Sequence, residues 1–219
     1  MESTDVFTAI FDLFARAYLG GPRAVSIDRL PAFDALLAAS GLVDPKWPGL
    51  LRSLLPRESD DLASLKMTEN DFLERLVVPV QGCYVPPYAS VYLDGGGGLW
   101  GRSTFEVLSW YEAEGLSWSQ YLSGRGEMRI LAPDHIGVEL AFLSILAGRS
   151  TIRHSRQRSE NSRDKMLAHL ADWLPLFEKA QREATPAASA CTKLADWTAF
   201  AVEVVQLCVT SYTDSVSLR

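Results

Sequence analysis

His135 and Glu139 stand four residues apart, so a helix would put both on one face, where they could act as an acid–base pair or supply half of a metal site. His154 and His169 are the other histidines, and the cysteines Cys83, Cys191 and Cys208 include no Cys-x-x-Cys. The ligand count for zinc therefore falls short, and no metal site is expected. A second stretch, Gly96-Gly97-Gly98-Leu99-Trp100-Gly101-Arg102-Ser103, matches the phosphate-loop pattern except that arginine replaces lysine. A nucleotide hydrolase also needs a parallel sheet and a magnesium-holding acid at a strand end, and the rest of the chain reads as helical. Arg102 would present a broad planar fork where that loop uses a point charge. No G-x-S-x-G elbow and no paired catalytic carboxylates occur. No catalytic residue is assigned, and an enzyme is not expected.

Two stretches concentrate the remaining features. The first, Tyr84 to Asp94, holds Pro86 and Pro87, which remove backbone donors and force extended geometry, so it is expected to be a loop. Its aromatic content, Tyr84, Tyr88 and Tyr92, exceeds what a linker needs. The second, Ala132 to Phe142, is expected to open a helix over 133–147. Pro133 would lie in its first turn, Asp134 would be its cap, and Gly148 would close it. In that reading His135 hydrogen-bonds locally and Glu139 is solvated, unless the pair serves a ligand.

Composition sets the bounds. The chain has 219 residues, 47% of them hydrophobic, enough for a substantial core. Its formal net charge of −6 disfavours nucleic acid and favours basic partners. The odd cysteine count fits a reducing compartment, the acidic start Met1-Glu2-Ser3-Thr4-Asp5 is unlike a secretory signal, and Leu194–Val209 is too polar to span a bilayer. A cytoplasmic protein without stable membrane insertion is expected.

Helical spacing recurs throughout. Phe7, Ile10, Phe11, Phe14 and Tyr18 predict a first helix ending at Gly20-Gly21. Further helices are predicted from Pro31 to Gly41, from Trp47 to Leu55 and from Ser59 to Leu76. Ser103 and Glu106 form a capping-box pattern for a helix reaching Gly115. The basic run from Arg149 to Lys165 reads as a solvated helix face, and Pro175 is expected to kink or restart the helix that follows. Leu194, Trp197, Ala201, Val204 and Cys208 mark the last helix. Without alternating strand patterns, the expectation is an all-α fold of roughly nine helices in two lobes, 1–125 and 126–219. Ser123-Gly124-Arg125-Gly126 would be the hinge, and exchange of lobes across it would give a swapped dimer in place of a monomer.

The chain resembles the TorD/DmsD family of redox-enzyme maturation chaperones. Three stretches carry the likeness: Pro86-Pro87-Tyr88-x-Ser90-Val91-Tyr92 followed by Leu99-Trp100-Gly101, then Pro133 to Leu143, then His169 to Phe177. The resemblance implies an all-helical, non-enzymatic cytoplasmic chaperone without a cofactor of its own. Its partner would be the apo form of an oxidoreductase destined to carry molybdopterin guanine dinucleotide, bound through a twin-arginine signal peptide. Carried over by position, the family's Asp-His pair falls on Asp134 and His135, and its loop on Pro86, Tyr88, Ser90 and Tyr92. Such a peptide offers two guanidinium groups and an apolar run, so a receptor needs carboxylates beside a hydrophobic groove. Asp134 and Glu139 could supply the charge, and Tyr84, Tyr88, Tyr92, Trp100 and Phe142 the groove, where the two stretches converge. The alternatives are a guanine-nucleotide switch or hydrolase using residues 96–103, with weak nucleotide binding, and a permanent structural assembly subunit of an oxidoreductase.

Overall fold

Helix α1 (Ser3–Gly20) turns its Ile10, Phe14 and Tyr18 stripe inward, with all three side chains fully buried. The computed structural model describes residues 3–21, 24, 69–70, 72–79, 82–119, 131–149, 156–184 and 192–217. After α1 come a π-helical turn, π1 (Leu73–Val77), and the short α2 (Ala89–Leu93). Among the described residues four longer helices follow: α3 (Arg102–Ala113), α4 (Ile136–Arg149), α5 (Arg156–Glu183) and α6 (Thr192–Ser217). Among the described residues there is no strand, and one isolated antiparallel bridge joins Tyr88 to His135. The fold is all-α, as expected. The helices predicted between Pro31 and Leu55, the hinge at 123–126 and the lobe boundary lie outside the described residues, as does most of the helix predicted from Ser59 to Leu76.

Helix α4 is the central element. Every residue from Ile136 to Leu143 is buried, an all-round burial that a helix reaches only when neighbours cover it on several sides. Helix α1 packs along one side and α5 along another. The approach of α1 is close enough to demand glycine: a Cβ on Gly137 would lie 2.7 Å from Leu19 Cγ and 3.2 Å from Tyr18 Cβ. Helix α6 closes the far side of α1, where Phe14 meets Trp197 and Phe200 edge-on at centroid distances of 5.1 and 5.2 Å. The Tyr18 hydroxyl bonds Thr198 Oγ1 at 2.6 Å, and Thr198 donates to Gln181 Oε1 at 2.7 Å, tying α1, α6 and α5 through one buried polar chain.

Several local expectations change. The proline loop is extended only as far as Tyr88; beyond the two prolines nothing forbids helix, and α2 forms. Helix α4 begins at Ile136 instead of Pro133, because residues 133–134 make a turn whose carbonyls serve other segments, and it runs through Gly148 to Arg149. Helix α3 starts at Arg102 with Gly101 at its cap position, and no side chain caps it from there, so the Ser103–Glu106 box does not form. Helix α5 runs unbroken past Pro175 instead of restarting there. Part of the predicted basic run lies within α5, where Arg163 pairs with Asp164 at 3.0 Å.

Candidate functional site

The two motif stretches do converge, and backbone groups join them. Ile136 N–H donates to the Pro87 carbonyl and Ala89 N–H to the Asp134 carbonyl, each at 3.0 Å. Asp134 then caps α2 from outside that helix: its Oδ2 accepts the Ser90 N–H at 2.8 Å, the orphan donor that a helix N-terminus leaves. The next residue caps α4. His135 Nδ1 accepts the Gly137 N–H at 3.0 Å, while the His135 carbonyl accepts from Val138 and Glu139. With Nδ1 an acceptor, the neutral ring carries its proton on Nε2. Burial pushes the His135 pKa down to about 3, and the Tyr88 ring lies edge-on to the imidazole at 5.2 Å. The paired motif Asp134-His135 is thus two caps, one for each helix entering the junction.

Hydroxyl groups lock the surrounding turns. Tyr111 donates to the Pro133 carbonyl at 3.1 Å, Tyr92 to the Pro86 carbonyl at 2.9 Å, and the Tyr88 hydroxyl accepts from Leu131 N–H at 3.2 Å. The Tyr92 ring stacks on Trp173 of α5 at 5.8 Å and 18°, so the loop rests on that helix.

Glu139 occupies the middle of the junction, fully buried and not solvated. Its Oε1 lies 3.0 Å from His169 Nε2, and its Oε2 accepts the Trp173 Nε1–H at 3.0 Å, both partners being on α5. Burial raises the Glu139 pKa against the opposing pull of His169. Burial alone would lower that of His169, but the Glu139 carboxylate outweighs it and the net direction is upward. The two groups titrate as one coupled pair across this 3.0 Å contact. Sequence reasoning missed His169 and Trp173 as its partners. The available signal was a lone carboxylate in the otherwise apolar run Ile136 to Leu143, which must be paired if the helix is buried.

Of the ten residues expected to meet a ligand, Tyr88, Ser90, Asp134, His135, Glu139 and Phe142 are buried. In this conformation their side chains are covered by the surrounding chain. Tyr84, Pro86 and Tyr92 are half-buried, and Trp100 is exposed. The junction is therefore a scaffold with an aromatic rim. Among the described residues, no group of three or more His, Cys, Asp or Glu side chains is placed to hold a metal.

The nucleotide-like stretch is also defined. Asp94 folds back onto the start of α3, where its carboxylate accepts from Ser103 N–H at 3.1 and 3.2 Å and from Ser103 Oγ at 2.7 Å. This carboxylate sits where a phosphate would have to bind, on the same donors. Arg102 Nε points instead to Glu106 Oε1 at 2.8 Å.

Residues 39–179, well over half of the chain, match the family described as nitrate reductase delta subunit. The chain belongs to that family. The TorD/DmsD resemblance carried by the proline loop and the Pro-Asp-His helix agrees with membership of the delta-subunit family. Among solved structures, a candidate redox enzyme maturation protein from Archaeoglobus fulgidus is similar at 20% identity. The likeness covers 87% of this chain and 90% of that one, with a TM-score of 0.47. No curated protein matches the chain. No helix among the described residues is long and apolar enough to cross a membrane.

Proposed function

We propose that this delta-subunit family member is a maturation chaperone for a nitrate-reductase-type molybdopterin oxidoreductase. It binds the client's twin-arginine signal peptide and holds the apoenzyme until the molybdopterin guanine dinucleotide is inserted. Family membership carries the reading. The geometry supports it in one respect: the interlocked junction fixes a rigid platform, and the half-buried Tyr84, Pro86 and Tyr92 with the exposed Trp100 form its accessible edge. A rigid aromatic edge on an acidic protein suits an apolar peptide with a basic head. In this reading the protein works in the cytoplasm, where the client folds.

The nucleotide alternative is disfavoured by Asp94, whose negative charge already occupies the α3 N-terminus. Calorimetric titration tests the main reading. The full chain should bind a synthetic twin-arginine signal peptide of its client at micromolar or tighter affinity, and a version with both arginines replaced by glutamine at least tenfold more weakly. Equal affinity for both peptides would contradict arginine-directed recognition.

A further inference from the structure

Trp100 is the one described residue other than glycine with a positive φ, 65°. That conformation is costly for a bulky side chain. The strained residue is not used to fill the core: Trp100 is 47% exposed, and Phe105, at 58%, leans against it with ring centroids 6.3 Å apart. Leu93, 37% exposed, stands at the other end of the same turn.

A dedicated latch sets this arrangement. Gly95 and Gly97 take positive φ values of 69° and 62°, which bends the chain back so that Asp94 reaches Ser103. Gly101 passes so close to that carboxylate that a Cβ would fall 2.0 Å from Asp94 Oδ2. Trp100 is held between these fixed points, with its side chain outward. Large apolar groups in solvent and a strained backbone both work against the isolated fold, and a latch that maintains both points to a use outside it.

The charge around the turn indicates the occupant. The single cation between Leu93 and Glu106, Arg102, is paired with Glu106. Next to Leu93, the Tyr92 ring stacks on Trp173 of α5, which brings that stretch of α5 to the turn. Asp172, the residue before Trp173, is exposed. Apolar anchors next to net negative charge fit an apolar segment that follows a basic head.

We infer that the Trp100–Phe105 pair, preset by the Asp94 latch, is the anchor for the apolar run of the client's signal peptide, with Asp172 facing its arginines. This rests on the chaperone reading and assigns the contact to residues outside the buried Asp134-His135 junction. Trp100→Gly tests it cleanly, because glycine accepts the positive φ and removes the indole together.

The full-length variant should keep or raise its melting temperature, yet bind the synthetic twin-arginine peptide at least tenfold more weakly than the wild type. Phe105→Ser and Asp172→Asn should each weaken binding by a smaller factor. Tight wild-type binding that Trp100→Gly leaves unchanged would overturn the anchor alone. No wild-type binding would overturn the anchor together with the reading beneath it. Sedimentation showing a wild-type dimer, unable to bind peptide and dissociated by Trp100→Gly, would assign the surface to a second copy instead.

Discussion

His135 is held neutral by burial, and that gives the junction a defined response to acid. In the unfolded chain the imidazole takes up a proton near its ordinary pKa of 6.5, but in the folded protein only near 3. The unfolded state therefore binds more protons across this window, so the contribution is fully present above pH 6.5 and is lost as pH falls toward 3, on the order of 5 kcal/mol in total. His135→Asn keeps an acceptor for the Gly137 N–H and removes the titration. Its acid-unfolding midpoint, followed by circular dichroism, should fall below that of the wild type. Glu139 and His169 have the opposite sign: both pKa values are raised in the fold, so their contribution is present at low pH and declines as pH rises through them. Comparison with the His135 variant isolates one effect from the other. Glu139→Ala strands His169 and the Trp173 indole N–H inside the core and should cost about 3–5 kcal/mol in urea unfolding. Glu139→Gln, which keeps an acceptor for one of them, should cost less.

At the scale of elements, α4 is fixed by what surrounds it. Gly137→Ala should destabilise by about 1–3 kcal/mol, because its methyl would strike Leu19 and force α1 away from α4; thermal unfolding of the variant measures this. Much of the element structure is legible in the sequence. The Phe7 to Tyr18 stripe gives α1, and the prolines give the extended entry into Tyr88. The caps are harder to read, since they arrive from a distance: Asp134 serves α2, forty-four residues earlier in sequence, and Asp94 serves α3 across a nine-residue turn. A local pattern such as Ser103 with Glu106 looks sufficient alone, but the stronger carboxylate of Asp94 takes the same N–H. The restart offered as one outcome at Pro175 fails for a related reason. Tertiary packing of Trp173, Leu174 and Phe177 on one buried face holds α5 together where local preference favours a break.

For the whole molecule, the two motif stretches meet as their composition suggests, but the polar residues that looked like ligand groups are buried as struts. Asp134, His135 and Glu139 each satisfy a helix end or a neighbouring helix. Residue type and spacing cannot distinguish a charged group aimed at a partner from one that organises the fold, because both require proximity and a defined orientation. In the proposed reading the outward role passes to aromatic side chains at the rim, above all Trp100, whose exposure no periodicity reveals. In this account the rigid junction is the platform of a chaperone for an unfinished oxidoreductase. The most direct test is to co-express the full chain with its nitrate-reductase-type client and recover the complex from cells able and unable to make the molybdopterin cofactor. Abundant complex is expected with cofactor-free client and little with the mature, cofactor-loaded enzyme. Stable recovery with loaded enzyme in equal amount would contradict it and identify a permanent subunit instead.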